Sequence, residues 1–233
     1  MVHLLLMPDK HGVKRIVTVL LATAGTGAIL FASAGSLHWV RGWIFFAAHL
    51  VSVVTASVTM ALTNPELLNE RGKRHRNTEP FEKVFEALYL LLLIILPLVA
   101  GLDAVRFAWS ALPAWVACPG GLLFACGAAL IIWSMAVNPF LETTVRIQPE
   151  RGHHVVSCGP YRFVRHPMYA GLILENLAAP LMLGSRWMFV PALLVCALFT
   201  GRAYLEDRVL RRKLAGYAEY SQVTRYLMVP GVW

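Results

Sequence analysis

Long apolar stretches alternate with shorter polar ones along the chain, and this pattern predicts membrane-spanning helices. No Asp, Glu, Lys or Arg occurs in three stretches, Ile16 to Val40, Gly42 to Pro65 and Phe107 to Leu141. As a helix, each stretch can cross about 30 Å of hydrocarbon. A strand of a membrane barrel would instead alternate apolar and polar residues, which these stretches do not. The pattern therefore predicts an all-α integral membrane protein.

The apolar stretches define about six hydrophobic helical segments, four spanning helices and a C-terminal helical hairpin. The four helices are expected at 16–36, 42–62, 84–102 and 114–138. The hairpin, residues 168–201, consists of two stretches, 168–183 and 187–201, that are short for a membrane span. The tail from Arg202 is basic and amphipathic, which predicts an interfacial C-terminal helix. Asp103 and Glu86 lie near predicted helix ends, where we expect them to be solvated.

Two regions follow from the polar segments. Residues 1–137 form an N-terminal transmembrane region with a polar loop at 64–83, and residues 138–233 form a C-terminal region. Lys and Arg number 3 before the first helix, 5 in the 64–83 loop, 4 in the segment 142–167 and 6 in the tail. Only Arg41, Arg106 and Arg186 lie in the opposite loops. The positive-inside rule therefore places both termini in the cytoplasm.

Composition agrees with this topology. Of 233 residues, 58% are hydrophobic and 15% charged, and the mean hydropathy is +0.60, which excludes an ordinary soluble domain. The net charge of +8 follows from the one-sided distribution of basic residues, so we expect no nucleic-acid partner. The four cysteines lack the spacing of a disulfide framework or a zinc site, and we expect no metal.

Candidate chemistry is concentrated in residues 145–171, which contain more histidines, arginines and turn formers than topology requires. Gly159-Pro160 predicts a turn, and Pro167 suits the first turn of a helix. Free amides at that helix start, with Arg165 and His166 beside them, suit a carboxylate or phosphate. The alternative is a basic loop that contacts lipid head groups.

Three pieces of the C-terminal region resemble the isoprenylcysteine carboxyl methyltransferase and phospholipid methyltransferase group of membrane enzymes. The pieces are Gly-Pro-Tyr-x-x-x-Arg-His-Pro-x-Tyr-x-Gly at 159–171, Arg202-x-x-x-Glu206-Asp207, and Gly216-Tyr217-x-x-Tyr220 with Arg225 and Pro230. The resemblance covers about residues 138–233. It implies a transmembrane helix bundle with a cytoplasmic S-adenosylmethionine pocket built by the C-terminal part, without a Rossmann domain.

The resemblance, with the chemistry of the cofactor, gives a set of expected cofactor contacts. They are Gln148, His153, His154, Val155, Val156, Tyr161, Arg165, His166, Pro167, Met168, Tyr169 and Glu206. The tyrosines offer flat faces to adenine or the sulfonium, and Glu206 can accept from ribose hydroxyls or the ammonium. Expected catalytic residues are Arg202, Glu206 and His166, of which Glu206 or His166 would remove a proton from an amine or thiol.

Expected acceptor-binding residues are Arg202, Glu175, Asn176 and Asn138. Arg202 matches the position implicated in substrate engagement in the resembled family, and would orient an anionic acceptor. Its alternative is an ordinary salt bridge with Glu206, four residues later on one helix face. Glu175 and Asn176 stand in an apolar run, where polar groups face protein or a functional cavity, so they either line an entrance or pair between helices.

The resulting hypothesis is a membrane methyltransferase that transfers a methyl group from S-adenosylmethionine to a lipophilic acceptor. The enzyme itself is expected to contact membrane lipids. The acceptor is an isoprenylcysteine-type carboxylate, a phospholipid amine or a hydrophobic thiol. The N-terminal half looks like bacterial members of the group, which predicts a multi-pass protein of a bacterial inner membrane. The alternatives are an NADPH-dependent reductase of the sterol-reductase type, against which Met168 argues, and a non-catalytic lipid-binding or transport scaffold. The oligomeric state is left open.

Overall fold

A computed structural model describes residues 8–73 and 79–232; part of the predicted 64–83 loop, residues 74–78, lies outside the described residues, as do 1–7 and 233. Within the described part the chain is helical and contains no strand. Its α-helices are α1 (Lys10–Ala34), α2 (Val40–Thr63), α3 (Pro65–Glu70), α4 (Phe81–Gly101), α5 (Ala117–Val137), α6 (Pro167–Leu183), α7 (Phe189–Lys213) and α8 (Tyr217–Val223).

Five helical segments of the described chain are long and apolar enough to cross a membrane, which confirms the predicted integral membrane fold. They are Lys10–Ala34, Val40–Thr63, Phe81–Arg106, Ala114–Val137 and Phe189–Lys213. The helix Pro167–Leu183 is apolar but shorter. It packs extensively against α5, so its polar backbone is covered by protein.

Helix α1 begins before the apolar stretch because Asp9 caps it. The Asp9 carboxylate accepts hydrogen bonds from the amides of His11 (2.7 Å) and Gly12 (3.0 Å). The helix ends at Gly35, whose φ of +68° is the left-handed conformation that favours glycine.

The predicted polar loop at 64–83 starts with the short helix α3. Its Leu67 and Leu68 are fully buried, and α3 packs against α1 and α2. The amide of Asp9 also donates to Oδ1 of Asn69 at 2.9 Å, which ties α3 to the start of α1. This part of the loop therefore belongs to the packed bundle.

Polar contacts of two arginines hold the opposite end of the bundle together. Arg106 donates to the carbonyls of Ser33 and Ala32 at the end of α1, and Arg41 donates to those of Leu181 and Met182 at the end of α6. Both arginines thus satisfy carbonyls left free at helix ends.

The expectation that Asp103 is solvated is wrong. Its side chain is fully buried. In place of water, Oδ2 accepts hydrogen bonds from the hydroxyls of Ser110 (2.7 Å) and Ser185 (2.6 Å) and from the amide of Trp187 (3.1 Å). Asp103 therefore links the end of α4 to the turn between α6 and α7. Glu86, by contrast, is exposed.

The second arm of the predicted hairpin continues without a break into the tail. Helix α7 runs from Phe189 to Lys213, and the first left-handed residue after it is Gly216, at φ +79°. Because of this continuity, Arg202 and Asp207 lie buried inside the bundle. The predicted interfacial helix therefore consists of the last turns of α7 followed by α8.

Candidate active site

The start of α6 is joined to the C-terminal tail by backbone hydrogen bonds. Pro167 occupies the first turn of α6, as its sequence position predicts. The amides of Arg165 and His166, just before it, donate to the carbonyls of Tyr226 (3.0 Å) and Leu227 (2.8 Å). The motif at 159–171 and the tail are thereby held against each other.

A narrow pocket of about 60 Å³ lies between these two segments and α7. It is lined by Asn138, Leu141, His153, His154, Val155, Val156, Tyr161, Arg165, His166, Met168, Tyr169, Glu206, Leu210, Leu214, Tyr217 and Tyr220. Four tyrosine rings and one carboxylate, that of Glu206, are among these groups. Such a lining suits a ligand with a flat ring and a cationic group.

An ion-pair network forms the base of this pocket. Nε of Arg165 is 2.7 Å from Oδ1 of Asp207, whose carboxylate also binds Nε of Arg211 (2.7 Å) and the hydroxyl of Tyr217 (3.0 Å). The Arg165 guanidinium also donates to the carbonyls of Thr224 and Arg225 in the tail. Arg165 is therefore largely engaged by the protein and fixes the tail to α7.

Two buried ring nitrogens at the pocket make no hydrogen bond within the described part of the molecule. They are Nδ1 of His153 and Nε2 of His166, the latter 3.8 Å from Oδ1 of Asp207. Burial, with the neighbouring His154 and the positive charge of Arg151, lowers the pKa of His153 to about 4, so its imidazole is neutral at pH 7. Buried polar atoms without partners are rare in folded proteins, and Nδ1 of His153 is therefore available to a bound ligand, whereas Nε2 of His166 faces Asp207.

Tyr169 separates the narrow pocket from a larger cavity. Its hydroxyl donates to Oε2 of Glu206 at 2.6 Å, and its ring stacks on His166 with a centroid distance of 5.7 Å. The same Tyr169, with Met168, also lines a cavity of about 640 Å³ between α1, α2, α4, α5, α6 and α7. The two spaces therefore meet at these two residues.

Arg202 lies on the wall of the large cavity. Its Nη2 donates to Oε2 of Glu82 (2.9 Å) and to the carbonyl of Thr143 (2.6 Å), and its guanidinium lies 4.1 Å from the ring centroid of Phe85. The ordinary Arg202–Glu206 salt bridge considered from the sequence is not formed. Arg202 instead pairs with α4, while Glu206 binds Tyr169.

Comparison with known families identifies this region. Residues 115–215 match the family model described as phospholipid methyltransferase. This segment is therefore similar to the phospholipid methyltransferase family. A comparison with curated proteins gave no match. With its five span-length helices, the chain is a membrane methyltransferase in general terms, and the family match favours this activity over the reductase and scaffold alternatives.

The methyltransferase domain brings most of the expected cofactor contacts together. Ten of the twelve line the narrow pocket, and Gln148 and Pro167 do not. Gln148 is fully buried, where its Nε2 donates to the carbonyl of Phe140 (2.9 Å) and its Oε1 accepts from Arg151. It therefore shapes the 140–151 segment behind the pocket.

The expected acceptor-binding residues of the methyltransferase are divided among three spaces. Arg202 and Glu175 line the large cavity, where Glu175 accepts a hydrogen bond from Ser52 at 3.2 Å. Asn176 lines a smaller neighbouring cavity of about 150 Å³ and donates to the carbonyl of Leu172. Asn138 lines the narrow pocket instead, and its Oδ1 accepts from the amide of Phe140 at 2.9 Å.

Several site residues were not predicted from the sequence. Leu141, Leu210, Leu214, Tyr217 and Tyr220 also line the narrow pocket. Tyr217 and Tyr220 belong to the motif Gly216-Tyr217-x-x-Tyr220, and Asp207 belongs to the motif before it. The sequence motifs therefore contained these three residues, but no role was assigned to them. The residues that the large cavity draws from α1 and α2 had no such signal.

Proposed function

We propose that this membrane methyltransferase takes its methyl group from S-adenosylmethionine and transfers it to a lipophilic acceptor that enters from the bilayer. The meeting of two differently lined spaces at Met168 and Tyr169 carries the proposal. One space is small, aromatic and polar, whereas the other is large and lies between apolar helices. A transferase needs two such spaces, because donor and acceptor must approach each other with water excluded.

The residues present fit this cofactor. Tyr161 offers a flat face to adenine, and burial raises the pKa of its phenol, so the hydroxyl stays protonated and can donate. The carboxylate of Glu206 can accept from ribose hydroxyls or an ammonium group, and the free Nδ1 of His153 can bind a further polar group. Bound there, the cofactor supplies a methyl group on a positively charged sulfur.

We expect the narrow pocket to widen when such a ligand binds. Residues 153–156 line one wall, and His154 in this wall and Ser157 and Cys158 directly after it are exposed. We therefore expect this segment to move outward when the ligand binds. Tyr169 and Glu206 would then hold the reactive end against the large cavity.

Calorimetric titration of the detergent-purified protein with S-adenosylhomocysteine, beside NADPH, tests the proposal. We expect micromolar binding of S-adenosylhomocysteine, a loss of at least tenfold in Glu206→Gln, and no binding of NADPH. The matched control is Glu219→Gln on α8, a residue outside the pocket lining. Binding of NADPH alone, or equal binding by wild type and Glu206→Gln, would contradict it.

We also propose that the narrow pocket and both termini face the cytoplasm of a bacterial inner membrane. The 18 to 3 distribution of basic residues supports this orientation. Labelling of intact cells with a membrane-impermeant maleimide tests it in a chain that carries Cys118→Ser and Cys126→Ser, because these two thiols are also exposed. In this chain Cys158 is exposed beside the pocket, and His38→Cys adds a thiol at the opposite end. We expect His38→Cys to react at once and Cys158 only after permeabilisation; the reverse order would refute the orientation.

A further inference from the structure

The large cavity contains two arginines from outside the segment 115–215. Arg15 comes from α1 and Arg71 from the residues directly after α3, and both line the cavity together with Arg202. Their helices are far apart in sequence. The folding of α3 against α1 is what brings the two guanidinium groups to one wall.

Neither Arg15 nor Arg71 makes an ion pair with a residue that the structure describes. Arg71 donates to the carbonyl of Leu141, while its Nε is buried without a hydrogen-bond partner. Burial, together with the positive charges of Arg15 and Arg202, lowers the pKa of Arg71 to about 9, so the group remains charged at pH 7. An unpaired buried charge is costly unless an anion compensates for it.

The carboxylates that face the cavity are not placed to compensate both charges. Glu142 attracts Arg71, but Nε and Nη2 of Arg146 already lie 2.7 Å from its two oxygens. Glu175 binds Ser52 deeper between the helices, and Glu86 is exposed. The third arginine, Arg202, is neutralised by Glu82. The excess positive charge therefore belongs to Arg15 and Arg71.

We propose that Arg15 and Arg71 form a binding subsite for an anionic group, a phosphate or carboxylate, carried by the lipophilic acceptor. This deepens the proposed function and rests on it. Helices α2, α4 and α6 provide an apolar lining, which includes Val53, Met60 and Leu172, for the acceptor's hydrocarbon part. The two arginines thereby select an anionic amphiphile over a neutral one, and the N-terminal half of the chain sets acceptor specificity.

Binding of matched single-chain probes in neutral maltoside detergent tests this subsite by thermophoresis. The probes are hexadecyl phosphate, hexadecanoate, hexadecanol and inorganic phosphate. We expect the wild type to bind at least one anionic amphiphile ten or more times more tightly than hexadecanol, and inorganic phosphate far more weakly than hexadecyl phosphate. In Arg15→Gln and Arg71→Gln that preference should fall at least fivefold, while Arg212→Gln, an exposed arginine of α7, keeps it.

Equal binding of charged and uncharged amphiphiles would overturn the inference, as would an unchanged preference in the double variant Arg15→Gln/Arg71→Gln. Inorganic phosphate that binds as tightly as hexadecyl phosphate would refute a lipid ligand. Arg71→Lys retains the charge and should retain most of the preference, which keeps the test decisive if Arg71→Gln fails to fold. If the wild type does not bind S-adenosylhomocysteine but still shows an arginine-dependent preference for anions, the proposed function is refuted and the anion subsite is not.

Discussion

The two spaces that meet at Tyr169 differ in how their charges are satisfied. Around the narrow pocket, Arg165 is matched by Asp207, and the pocket residues come from motifs that are compact in sequence. Around the large cavity, Arg15 and Arg71 have no ion-pair partner among the described residues, and its walls come from helices throughout the chain. The comparison indicates a pocket whose framework is complete within residues 115–215 and the tail that follows them, and a cavity whose wall is completed by its ligand.

The largest expected effect comes from breaking the ion-pair network under the narrow pocket. Asp207→Asn leaves the buried Arg165 without its countercharge, and we expect a loss of about 3–5 kcal/mol in the free energy of unfolding. Arg211→Gln breaks an ion pair of the same Asp207 with a half-exposed arginine, so its cost should stay below about 1 kcal/mol. Thermal unfolding in detergent measures both, and equal losses would show that burial does not set the strength of this network.

A second effect should come from the contact between α5 and α6, which holds Met168 and Tyr169 in place. A Cβ atom added at Gly127 would lie 2.7 Å from the carbonyl oxygen of Gly171, so we expect Gly127→Ala to cost about 1–3 kcal/mol by pushing the helices apart.

Gly121→Ala on the same helix is the matched control. An added Cβ there meets nothing within 4 Å, so alanine should be neutral or stabilising by up to about 1 kcal/mol. If Gly127→Ala proves as harmless as Gly121→Ala in the same unfolding assay, the close crossing of α5 and α6 is not what fixes the boundary between the two spaces.

The smallest expected effect concerns the pH dependence of the narrow pocket. Because the pKa of His153 falls from 6.5 to about 4 in the folded protein, the unfolded chain takes up a proton between these values that the native state does not. Stability should therefore fall as the pH drops through this range. In His153→Asn we expect the free energy of unfolding to fall by about 1 kcal/mol less over this pH range than in the wild type. The difference is small because the ring is partly exposed. An unchanged slope in His153→Asn would show that its imidazole is not desolvated.

The fold could be predicted from the sequence because each membrane span is a long stretch without charged residues. The chemical motif could be recognised because Gly159, Pro160 and Pro167 mark turns and a helix start. The partners of buried charges could not be found in this way. From the sequence, Asp103 is predicted to be a solvated residue near a helix end. The fold brings Ser185 and Trp187, which are 82 and 84 residues away in the chain, into contact with it. Likewise, Arg15 and Arg71 counted only as cytoplasmic charge, because one-dimensional patterns do not show that α3 folds back onto α1.

Hydrogen exchange measured by mass spectrometry, with and without S-adenosylhomocysteine, tests most directly whether the domain of residues 115–215 and the tail build the cofactor pocket. The account predicts slower amide exchange in residues 152–166 and 214–228, and unchanged exchange in 64–73, the segment that carries Arg71 at the large cavity. Protection confined to 64–73, or no protection anywhere at saturating ligand, would contradict it.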